Sequence, residues 1–417
     1  MPAVDTATLG NGLQIAVVSV DGPPVVAVQV WYHVGSKDDP RDRRGLARLF
    51  EYLMFQGSEH VRPGGHGDLI GALGGFVNGH VDEDASHFGE TLPVSDLDTA
   101  LKLEADRMRG LVLRDVNVQA TRQLAAEQAK NESATPVAAG MAHLLSIAFP
   151  TAGYAWNPSG VASDIDSITL DDVKKLYDAY YQPNNALLVV VGKTTLADVK
   201  AAADRAFGQL PRAETPKRAE AEHDQSGSRR EVLEAGPVGL ALFGFHIPPA
   251  RDPDFYPVQL AAMMLGVGDD ARLKKRLHTK DAKTGELLAV DGGIDLHVHE
   301  NPGLLVLVGA YREPSHGQAV EDAMTDEIKR LGTSGPDEAE LHRVKRQVES
   351  GFVFSLEHTD GFAETVGRAW ITTGDATSWQ HDADKFEKVT AGDVERVVKQ
   401  YMNADRATLV VVPPKGP

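Results

Sequence analysis

The sequence predicts an α+β protein built from two homologous α/β domains, each an antiparallel-rich sheet covered by helices. Three observations carry that prediction. A long segment occurs twice, strand-length apolar runs alternate with amphipathic helical patterns, and a charged stretch without large apolar residues separates the two copies.

Residues 169–191 read TLDDVKKLYDAYYQPNNALLVVV, and residues 390–412 read TAGDVERVVKQYMNADRATLVVV. They align without a gap at an offset of 221 residues, pairing Thr169 with Thr390, Asp172 with Asp393, Tyr180 with Tyr401 and Val189–Val191 with Val410–Val412. Each copy predicts a threonine N-cap, acids in the first turn, an amphipathic helix and then a buried strand. An ungapped match of this length at half the chain length is the mark of a duplication.

The other elements follow in order. PPVVAVQVWYHVGS (23–36) predicts a strand and loop, and GLARLFEYLMFQGS (45–58) a helix. GGHGDLIGALGG (64–75) reads as turns around a short helix, because it lacks the Lys-Ser/Thr ending of a phosphate loop and the spacing of a dinucleotide fold. FVNGHVDEDASHFGETL (76–92) reads as a hairpin. In the second half, PVGLALFGFHIP (237–248) is a strand and YPVQLAAMML (256–265) an apolar helix. RAETPKRAEAEHDQSGSRRE (212–231) reads as an exposed linker, giving domains of roughly 1–211 and 232–417. Strands separated by helices and joined by hairpins favour α+β layers over a doubly wound parallel sheet.

Composition narrows the function. The formal charge of −18 over 417 residues disfavours nucleic acid and anionic lipid as partners. The absence of cysteine excludes disulfides, thiolate metal sites and thiol nucleophiles. The start MPAVDTATLG has neither a basic n-region nor an apolar h-region, and runs such as ALLVVVG are far shorter than a membrane span. A cytoplasmic location is the expectation, or a periplasmic or organellar one if a leader has been removed.

The helix at 45–58 carries two stripes. Leu46, Leu49, Phe50, Leu53 and Met54 form a core-facing one, and Gly57 stands where a helix stop belongs. Beside it run Arg48, Glu51, Tyr52 and Phe55. Residues at i, i+3 and i+4 share one side of a helix, the arrangement that the H-x-x-E-H motif uses to hold zinc with two histidines and to place a glutamate as base. Here the five residues are Arg48-Leu49-Phe50-Glu51-Tyr52, with the glutamate present and both imidazoles absent.

These residues resemble the pitrilysin family of zinc metallopeptidases, the inverzincins, and in particular the branch containing the mitochondrial processing peptidase and the respiratory core proteins. The family pattern Gly-x-x-His-x-x-Glu-His-x-x-Phe-x-Gly-Ser/Thr is met at Gly45, Glu51, Phe55, Gly57 and Ser58 and broken at Arg48 and Tyr52. GGFVNGHVDED (74–84) matches the family's Gly-Gly-x-x-Asn strand, making Asn78 a candidate peptide contact. LEADRMRGLVL (103–113) and LGVGDDARLKKRL (265–277) are further matches. The resemblance covers nearly the whole chain and implies half of a clamshell.

It also implies a third ligand, a glutamate on a later helix, which corresponds here to TRQLAAEQAKNESATP (121–136). Gln128 falls at that position and Glu127 one residue away, about 100° around the helix. The zinc-ligand positions are thus Arg48, Tyr52 and Gln128, with Glu51 a remnant base, and no metal is expected in this chain. A guanidinium about 4 Å from a divalent ion is repelled by roughly 8 kcal/mol at an effective dielectric near 20. A full ligand set supplies only about 10–16 kcal/mol. Arg48 is expected instead to replace the metal's charge and to pair with Glu51.

In the family, the second domain often supplies an Arg and a Tyr that hold the substrate backbone. In ARLKKRLHTKDAKTGELLAVDGG (271–293), His278 stands where the Arg is expected, an insertion DAKTG follows, and no tyrosine occurs between Tyr256 and Tyr311. Arg272 and Arg276 are candidate substitutes, although Lys274, Lys275 and Arg276 also suit a solvated helix face. His60, His66, His80 and His87 cluster in sequence near the first helix and offer a displaced metal site, but their spacing matches no ligand pattern. His297 and His299 would share a strand face as surface residues.

The resulting expectation is a non-catalytic subunit of a two-chain zinc metallopeptidase. It would complete a peptide-binding chamber and support a catalytic partner of the same family, in which the zinc would reside. The alternatives are an active metalloendopeptidase with displaced ligands and a structural scaffold like the respiratory core proteins.

Overall fold

The computed structural model describes residues 2–151, 153–214, 222, 225–281 and 285–415. The first half runs β1 (Val4–Thr8), β2 (Gln14–Ser19), β3 (Val25–Tyr32), α1 (Phe50–Leu53), α2 (Gly65–Ala72), β4 (Phe76–Val81), β5 (Ser86–Pro93), α3 (Leu97–Gly110), α4 (Asp115–Glu132), α5 (Pro136–Ala148), α6 (Ala162–Ile165), α7 (Leu170–Tyr180), β6 (Ala186–Gly192) and α8 (Leu196–Phe207). The second half runs β7 (Arg229–Val232), β8 (Gly239–Ile247), α9 (Phe255–Gly266), α10 (Arg272–Leu277), β9 (Asp291–His297), β10 (Gly303–Tyr311), α11 (Gly317–Ser334), α12 (Glu338–Ser355), α13 (Thr359–Thr373), α14 (Asp382–Lys388), α15 (Ala391–Tyr401) and β11 (Thr408–Val412).

Two sheets result, with strand orders β1-β2-β6-β3-β5-β4 and β7-β11-β8-β10-β9. Without β1, the two orders are the same topology written twice. One parallel pair, β2 with β6 or β7 with β11, joins an otherwise antiparallel sheet. The duplication read from the sequence is therefore a duplication of fold. Thr169 and Thr390 both close capping boxes, each hydroxyl accepting from the amide three residues on while Asp172 or Asp393 accepts from the threonine amide.

Each sheet has two faces to bury. In one compact unit, α3 and α8 cover one face of the first sheet and α13, from the second half of the chain, covers the other. Gly367 on α13 lies against Trp31, where an added Cβ would come within 2.1 Å of the indole, so only glycine permits this approach. In the other unit, α5 from the first half packs on β8 and β11. The compact units are consequently Met1–Lys130, Trp156–Ala219 and Val353–Gln380 for one, and Asn131–Ala155, Glu220–Phe352 and His381–Pro417 for the other. The simple division at 1–211 and 232–417 omits this exchange, which arises because β3, β6 and β8 are apolar on both faces and each needs a second covering helix.

Residues 215–221, 223 and 224 of the expected linker lie outside the described residues, as do 282–284 of the DAKTG insertion. The end of the expected linker is not loop: Arg229–Glu231 belong to β7, paired in parallel with β11. An edge strand with one neighbour and an exposed outer side needs no apolar alternation, so the charged sequence conceals it. No helix of the described residues is long and apolar enough to cross a membrane.

Candidate functional site

The predicted helix at 45–58 forms as a 3-10 turn at Ala47–Leu49 running into α1. Glycines at positive φ bound it, Gly45 at 102° and Gly57 at 101°. Leu46, Leu49, Phe50, Leu53 and Met54 are all buried in the core, as the apolar stripe predicts. Its start is fixed by Asp39, whose buried carboxylate accepts from the Gly45 amide at 2.7 Å and the Ala47 amide at 2.8 Å. Burial pushes the Asp39 pKa well above the usual carboxylate range, against the pull of those amide bonds. Sequence reasoning missed Asp39 because it lies six residues before the first amide it holds.

The second stripe stands half-buried. Arg48 Nη1 lies 3.0 Å from Glu51 Oε2, so the expected ion pair forms. Tyr52 donates its hydroxyl hydrogen bond to Gln128 Oε1 on α4. Glu127, one residue earlier, is exposed, so the rotation argued from helix geometry turns the amide rather than the carboxylate toward Tyr52. Phe55 packs edge-on to Phe88 at 6.3 Å. An added Cβ on Gly79 of β4 would sit 2.8 Å from the Phe88 ring and 3.1 Å from the Phe55 ring, which accounts for that glycine.

Asn78 is exposed on β4, which has no strand on its outer side among the described residues. Because side chains alternate along a strand, Asn78 projects from the face opposite to Gly79 and Phe55.

Two family sequence profiles match the chain: one described as Insulinase (Peptidase family M16) over residues 15–155, and one described as Peptidase M16 inactive domain over residues 167–348. The chain belongs to the M16, or pitrilysin, peptidase family. The zinc protease PqqE of Helicobacter pylori is 24% identical across 99% of this chain and 94% of its own length. The mitochondrial-processing peptidase subunit beta of Blastocladiella emersonii is 22% identical across 99% and 89%. Among solved structures, a protease from Helicobacter pylori superimposes with a TM-score of 0.92 at 23% identity, covering 99% of this chain and 100% of that one. A peptidase M16 inactive domain from Pseudomonas fluorescens gives 0.89 at 18% identity, covering 99% and 98%.

M16 membership raises the question of zinc, and the side chains at the three positions do not fit it. Arg48 has no lone pair to donate and carries a charge that repels a cation. Tyr52 and Gln128 are spent on each other, and a neutral phenol and an amide are poor zinc donors.

A second place in the same M16 unit brings potential ligands together. His66, Glu90 and Glu104 are buried with ligand atoms within 4.8 Å of one another. His66 Nε2 lies 3.2 Å from Glu90 Oε2. A cation already occupies the cluster: Arg107 donates from Nε to Glu104 at 2.9 Å, also bonds Glu104 through Nη2, and has Nη2 3.9 Å from Glu90. Burial raises Glu90 to about 7 and Glu104 to about 8 and lowers His66 to about 3, with Arg107 pulling against the first two shifts and reinforcing the third. The guanidinium makes this a salt-bridged core network rather than a metal centre. Its sequence signal was available, since Glu90 alternates with Phe88 and Leu92, while Glu104 shares the helix face of Leu101 and Met108.

The four histidines do not converge on one site. His60 is exposed and bonds Asp106 at 2.7 Å, His66 lies in the buried network, and His80 faces His87 across β4 and β5 at 5.8 Å. His297 pairs with Asp295 at 3.3 Å. His299 corrects the expectation of a surface histidine: it lies beyond the end of β9 and is buried, stacked on Tyr154 at 4.0 Å, because a flat ring there completes an aromatic contact.

In the second unit, Arg272 is bonded through both Nε and Nη2 to Glu340, and the side-chain bond from that carboxylate raises its pKa. This gives Arg272 a structural partner. Lys274 and Lys275 pair with Asp269 and Asp270 on an exposed face. Arg276 and His278, at the end of α10, are partly exposed.

Proposed function

We propose that this chain is a non-catalytic M16 subunit that works with a zinc-bearing chain of the same family, completing its peptide-binding chamber and helping to select substrate. The carrying observation is the ion pair of Arg48 with Glu51. The group that would act as general base in a zinc peptidase is held instead by a guanidinium at a zinc-ligand position. Without a metal-bound water, Glu51 has no proton to take. The Tyr52–Gln128 hydrogen bond supports the same reading by spending the other two positions on each other. The outer edge of β4, with Phe76, Asn78 and His80 exposed, suits an added peptide strand held by main-chain hydrogen bonds. The word "subunit" in the name of the Blastocladiella relative supports an assembly of more than one chain.

The test is direct. The purified chain is measured for zinc by mass spectrometry and for cleavage of a peptide library, alone and with an M16 chain from the same cells that carries an intact H-x-x-E-H motif. The expected result is less than a tenth of an equivalent of zinc and no cleavage alone, with a several-fold rise in the partner's kcat/KM on mixing. Chelator-sensitive cleavage by the lone chain overturns the reading.

A further inference from the structure

Between α11 and α15 of the second unit, over β8, lies a cavity of about 270 Å³. Its apolar wall is made by Phe243, Phe245, Ile328, Val398 and Met402. The duplication shows that the fold does not require this space. The ungapped repeat equates Val398 with Tyr177 and Met402 with Tyr181. Strand register equates Phe245 with Tyr32: β11 pairs Leu409 with Phe243 where β6 pairs Leu188 with Val30, and the next inward residue follows on each strand.

In the first unit the equivalent space is full. Tyr32 packs on Tyr181 at 4.7 Å, and Tyr181 stacks on Phe50 at 4.6 Å. Tyr177 reaches the end of α3, donating to the Arg107 carbonyl at 2.9 Å and accepting from the Leu111 amide at 3.1 Å. In the second unit, Val398 meets α11 at Gly332, where an added Cβ would lie 3.1 Å from Val398 Cγ1. Two tyrosines have become a valine and a methionine, and the volume they vacate stays open.

The rim is polar and cationic. Lys329, Lys399 and Asn403 all line the cavity. Lys399 pairs with Glu395, whereas Lys329 is exposed and has no acidic partner among the described residues. Asn403 accepts from the Asp405 amide through Oδ1, which leaves its amide hydrogens to donate elsewhere. In a chain of net charge −18, an unpartnered lysine at the lip of an apolar hole is a specific arrangement. Ligand sites characteristically join an apolar wall to a few polar groups that fix orientation, and this volume suits a ligand below drug size.

We propose that the second unit carries a binding site for a small apolar carboxylic acid, with its hydrocarbon body against Phe243, Phe245 and Met402 and its carboxylate at Lys329 and Asn403. This goes beyond the peptidase-partner reading and does not depend on it.

Decanoate is the probe, titrated calorimetrically into the full chain. The expected result is saturable binding of one equivalent, with 1-decanol and the Lys329→Ala variant each weaker by about fivefold, as the loss of one exposed charge contact allows. Val398→Tyr, which restores the side chain of the first unit, abolishes binding while the circular dichroism spectrum stays native. Nuclear Overhauser contacts from the decanoate methylenes to the Met402 methyl group locate the ligand in the unaltered protein, whatever the folding of the variants. No binding at millimolar decanoate, contacts elsewhere than Met402, or a native-like Val398→Tyr that binds as before overturns the proposal.

Discussion

Tyr52 on α1 donates a hydrogen bond to Gln128 on α4, while Glu127, its neighbour in sequence, faces solvent. One residue of helical rotation thus separates a carboxylate that could serve a metal from the amide that meets Tyr52. Together with the Arg48–Glu51 pair, this contact leaves the polar side chains of this helical segment paired with protein groups.

Rebuilding the ligands should rebuild the site. The triple variant Arg48→His, Tyr52→His, Gln128→Glu is expected to bind one zinc ion, whereas Arg48→His alone binds none. Equilibrium dialysis followed by metal analysis reads the difference. The physical reason is that one imidazole and a carboxylate without its partners cannot offset the dehydration of the ion.

The Arg48–Glu51 pair itself should contribute little to stability. The two side chains sit one turn apart on the same short helical segment, where ion pairs contribute only a few tenths of a kcal/mol. A double-mutant cycle with Arg48→Ala and Glu51→Ala, read by urea unfolding, is expected to give a coupling of at most about 1 kcal/mol. A much larger value would assign the pair a folding role.

Arg107 should matter far more. Its loss in Arg107→Met leaves Glu90 and Glu104 buried without a cation, at a cost of about 3–5 kcal/mol. Chemical denaturation measures it. Glu104→Gln in the same background is expected to recover part of the loss, because it replaces a carboxyl that must take up a proton to stay buried without its partner.

The same network predicts a pH dependence. The folded-state pKa values of Glu90 and Glu104 are raised from 4.5 to about 7 and about 8, so the folded protein keeps protons that the unfolded chain releases. Their contribution is fully present below 4.5 and is lost as the pH rises through those two values. His66 acts in the opposite sense at lower pH: lowered from 6.5 to about 3, it contributes stability above 6.5 that is lost as the pH falls toward 3. Between pH 6.5 and 8 only the carboxylate effect remains, and it lowers stability as the pH rises. Glu90→Gln is expected to flatten the unfolding free energy over that window in parallel denaturation series.

Gly367→Ala should test the exchange of segments between the halves. The added methyl group would fall within the Trp31 ring, and neither group can retreat in a packed layer. A loss of more than about 2 kcal/mol is expected, with a shift in the tryptophan emission of the first unit.

Much of this protein is legible in its residues. The duplication follows from two ungapped segments, and the two sheets from apolar runs of strand length. The core-facing stripe of α1 and the Arg48–Glu51 pair follow from i, i+3 and i+4 spacing alone, because these are local properties of a helix or strand. Tertiary structure decided the rest, because the partners lie far apart in the chain. Nothing local says that α13 will cover β3, or that Glu90 on β5 will meet Arg107 on α3 and His66 on α2. Nor does the repeat reveal that valine and methionine in place of two tyrosines leave a cavity. Volume and charge balance belong to the packed interior, where side chains from several elements meet and each is fixed by neighbours that its own stretch of sequence does not contain.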